Sequence, residues 1–164
     1  MGIEQLTVFK DNGQIEVVNL ADAPALAPVG VVGIPNRCYL CGKYGVVVAG
    51  VLVDPLLALA LIGVKDDLFL DFEPVGGALR DALDPGWLRL HFIGPLKVRS
   101  SRQRPEGYIS NGCHSCDAIV GSYPLREAVE KIGLARMPEF VIDHAMLPFD
   151  LLCEVVANAK LEKS

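Results

Sequence analysis

Histidine is scarce in this chain, with only His91, His114 and His144 among 164 residues. That scarcity narrows the scope for general acid–base chemistry at neutral pH. A basic excess is lacking too. Fifteen Lys and Arg against twenty Asp and Glu leave a formal net charge of −5, which excludes a generally cationic nucleic-acid coat but not a local basic face. The start of the chain, Met1-Gly2-Ile3-Glu4, has neither the basic beginning nor the apolar core of a secretory signal. Leu6 stands where a myristoylation signal needs Ser or Thr. The expectation is a cytoplasmic protein. The glycines form no phosphate cradle: Gly76-Gly77 lacks the following lysine of a P-loop, and Gly30 and Gly33 lack a strand–turn–helix setting. No low-complexity tract is present, and the only internal repeat is a pair of Cys-x-x-Cys motifs.

Apolar residues are plentiful. They make up 51% of the chain against 21% charged, and mean hydropathy is +0.36. A chain of this length buries roughly 70% of its unfolded surface, so a core is expected without help from metal. The surplus implies apolar surface covered by a protein partner or by self-association. Gly45 to Val64 is apolar apart from Asp54, long enough to span a bilayer. Asp54-Pro55 in its middle argues against that and for a strand, a turn and a helix starting at Pro55. No membrane association is expected.

Four of the five cysteines form two pairs, Cys38-Tyr39-Leu40-Cys41 and Cys113-His114-Ser115-Cys116. In a reducing cytoplasm a disulfide framework would not persist. A lone Cys-x-x-Cys can be a redox pair at a helix N-terminus, whereas two pairs that each run into strand-like sequence fit tetrahedral zinc. Val46-Val47-Val48 follows the first pair and Ala118-Ile119-Val120 the second, so each pair reads as a knuckle at a hairpin tip. Gly42 follows the first pair, where a tight turn favours glycine, and Asp117 occupies that place in the second. Cys38, Cys41, Cys113 and Cys116 are the expected ligands of one zinc ion. Four thiolates fill a tetrahedron and leave no open position, so the expected metal is structural. Replacement of a cysteine by His114 would give a Cys3His site; the expectation is that His114 points outward. Cys153 lies in an amphipathic helical pattern and reads as a buried, inert thiol.

The two motifs resemble the zinc-ribbon group, whose two knuckles share one metal, over about residues 34–53 and 106–121. The resemblance implies a structural class and no function. The chain departs from it in spacing, with 71 residues between Cys41 and Cys113 instead of the usual 15 to 20 or so. Closing such a loop costs on the order of 4 kcal/mol, against roughly 10–16 kcal/mol from structural zinc in small peptides. The insertion therefore reads as a folded body between two knuckles.

The fold expected is α+β, an antiparallel sheet with a split zinc ribbon and packed helices. An N-terminal hairpin and linker (1–33) would precede a zinc-stapled domain (34–164), the two forming one compact unit. Residues 5–19 read as a hairpin around Asp11-Asn12-Gly13, and residues 20–36 as a loop. Within the insertion the pattern predicts a helix over 55–62, a short strand over 68–72, a helix over 74–83 and a strand over 87–93. Beyond it come a helix over 125–132 closed by Gly133, a short strand over 140–142 and a terminal helix over 149–162.

One basic cluster stands out. Lys97, Arg99, Arg102 and Arg104 fall within eight positions without an acid, with Tyr108 just beyond. They are candidate contacts for phosphate or nucleic acid; equally, they would offset the charge near −2 of a zinc tetrathiolate, as Arg37 and Lys43 would beside the first knuckle. An enzyme would have to use a cleft in the 54–112 insertion with His91, or Asp143 with His144. Asp66, Asp67, Asp71 and Glu73 could ligate a hard metal, though exposed loop carboxylates are the plainer reading. The leading expectation is a non-enzymatic binding or adaptor protein, acting on protein or nucleic acid. The alternatives are a small enzyme and a thiol redox switch that releases zinc.

Overall fold

The computed structural model describes residues 5–9, 15–19, 25–53, 58–61, 70–71 and 73–151. Strands β1 (Gln5–Phe9) and β2 (Ile15–Asn19) pair antiparallel, with Phe9 opposite Ile15. That is the hairpin expected from the Asp-Asn-Gly turn, which itself lies outside the described residues.

The central sheet is built on β3 (Leu26–Arg37) and β4 (Tyr44–Val53), an antiparallel pair. Strand β5 (Ala58–Leu61) continues it antiparallel to β4, and β6 (Leu70–Asp71) adds in parallel. Strand β10 (Val141–Pro148) closes the other edge against β3, giving the order β10-β3-β4-β5-β6. A second sheet joins β7 (Lys97–Arg99), β8 (Tyr108–Gly112) and β9 (Ile119–Val120), all antiparallel. The helices are α1 (Glu73–Ala82), α2 (Pro85–Leu90) and α3 (Ser122–Ile132), with a 3-10 helix over Leu134–Phe140. The architecture is α+β.

Helices cover both faces of the central sheet. On one face Val29, Val31, Val48 and Val51 pack with Val75 and Leu79 of α1, Leu88 of α2, and Leu147 of β10. On the other, Val32, Ile34, Val47, Ala49 and Leu52 meet Leu125 and Val129 of α3 and Met137 of the 3-10 helix. A sheet buried on both faces needs near-continuous apolar strands rather than alternating ones, and that accounts for much of the chain's hydropathy. A bulge opposite Val32 and Gly33 places Ala49 outside the regular register, so Val48 and Val51 share one face although they are three apart.

Three expectations are overturned. Residues 26–36 are not a loop but most of β3. Their prolines are tolerated because each lies where β3 has one partner strand: Pro28 pairs only with β10 and Pro35 only with β4. Of the helix expected over 55–62, the described residues 58–61 form the strand β5 instead. The strand over 87–93 is replaced by α2, which starts where Asp84 accepts hydrogen bonds from the N–H groups of Gly86 (3.2 Å) and Trp87 (3.3 Å). The helices near 74–83 and 125–132 and the strand at 119–120 are present. The strand near 140–142 extends to residue 148. Residues 149–151 are helical; the rest of the terminal helix and Cys153 lie outside the described residues.

Candidate metal centre

The two Cys-x-x-Cys turns have the same backbone design. In the first, between β3 and β4, Cys38 N–H donates to the Lys43 carbonyl (2.9 Å) and Gly42 N–H to the Cys38 carbonyl (2.9 Å). In the second, between β8 and β9, Cys113 N–H donates to the Ala118 carbonyl (2.8 Å) and Asp117 N–H to the Cys113 carbonyl (3.0 Å). The position after the second cysteine takes a left-handed backbone in both, Gly42 at φ 75° and Asp117 at φ 62°. Asp tolerates that conformation better than most residues with a side chain. In exchange its carboxylate holds two cations, Lys97 and Arg99, at 2.5 Å each.

These turns bring four sulfurs together across 71 intervening residues. All four Sγ atoms of Cys38, Cys41, Cys113 and Cys116 lie within 4.8 Å of one another. Two close approaches cross between the knuckles, Cys38 to Cys116 and Cys41 to Cys113, both 3.6 Å. Four sulfurs at Zn–S distances of about 2.3 Å have edges of about 3.8 Å, so the cluster has nearly the size of a zinc tetrahedron. The first cysteine of each knuckle is buried and the second exposed.

The thiols respond unequally to this crowding. Backbone N–H from Cys41, opposed by burial and aided by Leu40 N–H, lowers the Cys38 thiol to about 6. Burial pushes Cys113 up, but the N–H groups of Cys116 and Ser115 and the Cys41 thiol outweigh it and leave Cys113 lowered. For Cys116 the Ala118 N–H pulls down, yet burial and the three neighbouring sulfurs raise it to about 11. Four like charges this close cannot form together without a cation among them. Ligation by a divalent ion removes that conflict.

Several contacts outside the cysteines dock the second knuckle on the first. Asn111, buried two residues before Cys113, uses its side-chain amide as a strand partner. Its Nδ2 donates to the Val48 carbonyl (2.7 Å) and its Oδ1 accepts from the Val48 N–H (2.9 Å). His114 Nε2 lies 3.0 Å from the Tyr44 carbonyl of β4. It therefore turns back onto the first knuckle rather than outward, and it is not part of the cluster of four sulfurs. Val46 N–H donates to the Phe92 carbonyl (3.1 Å). A Cβ on Gly94 would collide with the Gly112 carbonyl, and one on Gly45 would come within 2.7 Å of the Phe92 carbonyl oxygen.

The basic segment is largely committed to this scaffold. Arg99 donates to the carbonyls of Ser110 (2.7 Å) and Pro95 (3.1 Å) as well as to Asp117, and its side chain is 8% exposed. Lys97 shares Asp117. Arg104 stacks 4.1 Å over the Tyr108 ring and lies near Glu106, while Tyr108 is 5% exposed. Arg102 is exposed beside a shallow cavity of about 290 Å3 lined by Tyr108, Tyr123 and Pro124. Lys97, Arg99 and Arg104 are thus held by specific partners.

The histidines offered for catalysis lie apart. His91 caps α2, its Nδ1 2.8 Å from the Trp87 carbonyl and its ring stacked on Trp87. Asp143 accepts from the His144 backbone N–H (2.8 Å) instead of meeting its imidazole.

Sequence reasoning missed Asn111 and the left-handed backbone of Phe92 (φ 58°). No sequence signal points to Asn111, whose partner Val48 is remote in the chain, nor to Phe92, because glycine and not a bulky residue is the usual mark of a left-handed helix end. No protein-family model, curated protein or solved structure matches this chain, so the four-cysteine geometry carries the functional argument.

Proposed function

We propose that the chain is a binding protein organised by one structural zinc ion, held in a split zinc ribbon by Cys38, Cys41, Cys113 and Cys116. The observation that carries this is the meeting of four sulfurs within 4.8 Å on two matching turns. Four thiolates leave no position for substrate or water, so the metal's contribution is to tie β3–β4 to β8–β9. That tie holds the knuckle on which Tyr39, Leu40 and Tyr44 are exposed, with exposed Phe92 edge-on to His114. Large apolar side chains grouped on a surface suit an interaction role.

The test is metal content. Protein purified under reducing conditions should contain one zinc per chain, and cobalt in its place should give the intense thiolate charge-transfer and tetrahedral d–d absorption of a four-sulfur site. Cys38→Ser and Cys113→Ser should each lose most of the metal. A reduced, folded chain that takes up no stoichiometric zinc or cobalt would end the proposal. The absence of any loss in the two serine variants would do the same.

A further inference from the structure

The first knuckle presents an unusual combination of side chains. Tyr39 and Tyr44 are 76% and 73% exposed, and Phe92 is 62% exposed. Tyr44 and Phe92 are linked through His114, whose Nε2 meets the Tyr44 carbonyl and whose ring meets Phe92 edge-on, with centroids 5.5 Å apart. Cations are interleaved with these rings. The Arg37 guanidinium lies 5.5 Å from the Tyr44 ring centre, Lys43 sits between the knuckle and Tyr44, and Arg89 lies on α2 three residues before Phe92. All three are exposed. No carboxylate occurs between residues 26 and 53 or between 85 and 105. The one acid beside the second knuckle, Asp117, is held by Lys97 and Arg99.

Phe92 carries the strongest signal. It is the left-handed residue ending α2: its N–H donates to the Arg89 carbonyl (3.2 Å) and that of Ile93 to the Leu88 carbonyl (2.9 Å). Glycine usually fills this place, and a bulky side chain there is strained. The strained backbone displays an aromatic ring against the knuckle histidine.

We infer that this face docks single-stranded nucleic acid, with Tyr39, Tyr44 and Phe92 stacking on unpaired bases and Arg37, Lys43 and Arg89 meeting phosphates. The inference rests on the zinc-organised reading, since the metal holds the knuckle that carries two of the rings. Exposed rings separated by cations, with no acid among them, fit a strand whose bases offer flat faces and whose backbone is anionic. A duplex hides those faces in its stack, and an acidic peptide has phosphate-like charge without the flat partners.

The zinc-loaded full chain is titrated into fluorescein-labelled 12-nucleotide dT and rU strands, with binding read by anisotropy. A dissociation constant of roughly 10 µM or tighter at 50 mM salt is expected, weakening roughly 10-fold by 200 mM as two to three phosphate contacts imply. Tyr39→Leu, Tyr44→Leu and Phe92→Leu keep apolar area but remove the ring, and each should weaken binding at least about fivefold. Arg37→Ala with Lys43→Ala should flatten the salt dependence. Tyr123→Ala removes an equally exposed tyrosine (73%) on α3 and should change nothing. Zinc is measured on every variant. Absence of binding by fully zinc-loaded protein overturns this inference alone, whereas failure to hold zinc overturns the proposed function as well. Ring variants that bind like wild type, equal binding of a 12-base-pair duplex, or equal competition by a poly-glutamate peptide would each refute the stacking mode.

Discussion

Asn111 shows how one side chain can set the geometry of a metal site it does not touch. Its amide supplies both hydrogen bonds that a neighbouring strand would give Val48, and Val48 is fully buried. Asn111→Ala would leave that N–H and carbonyl unpaired in the core, at about 1–3 kcal/mol each. Denaturant unfolding of the zinc-loaded variant should therefore show a loss of about 2–5 kcal/mol, together with weaker zinc retention in a chelator competition. An unchanged midpoint would mean that the knuckles need no such clamp. Asp117 makes the complementary point. It departs from the glycine of the first knuckle, accepts the same left-handed backbone, and uses its carboxylate to bind Lys97 and Arg99. Its pKa is held below the usual carboxylate range, first by Lys97 and then by Arg99. Two of the basic residues that looked available for phosphate, Lys97 and Arg99, are held by that single acid.

At the level of elements, the chain contains two similar Asp-Pro signals with opposite outcomes. Asp54-Pro55 looks like a helix start, yet the described residues Ala58–Leu61 that follow form β5; Asp84-Pro85 opens α2 in a stretch whose alternation looks like a strand. Short apolar runs do not distinguish strand from helix, because tertiary burial outweighs local preference over five or six residues. Leu88 of α2 is buried, as is Ile93 just beyond the helix, while Leu90 and Phe92 stay exposed. That pattern contradicts a strand with Leu88, Leu90 and Phe92 on one buried face. Asp84→Ala removes two capping bonds and should lower unfolding stability by about 1 kcal/mol. Zinc stoichiometry should be unchanged, because α2 supplies no ligand. Denaturation with parallel metal analysis checks both, and a loss of metal would show that α2 is needed to hold the knuckle.

Across the whole molecule, the core and the cysteine cluster are separable. The two apolar clusters on the sheet faces contain no cysteine ligand, so the described body has its own source of stability. Removal of metal from this chain should differ from its effect on small zinc fingers, which unfold. The chelated protein should keep most of its far-UV circular dichroism and lose hydrogen-exchange protection chiefly over 38–45 and 112–118. It should also melt at a lower temperature. Global loss of secondary structure on chelation would contradict this division.

The four-cysteine cluster was legible in the sequence because ligation needs particular atoms at fixed short spacing, and two Cys-x-x-Cys pairs declare both. The N-terminal hairpin and the longer helices were legible for a similar reason, since turn chemistry and amphipathic period are local. Tertiary structure alone decided that residues 26–37 form a central strand despite two prolines, because tolerance of Pro28 and Pro35 depends on which neighbour lies beside each. It also decided that Arg99 and Tyr108 are buried, that His114 turns inward and that Phe92 turns outward. Those outcomes are set by contacts between segments far apart in the chain, and composition and periodicity carry no record of such contacts.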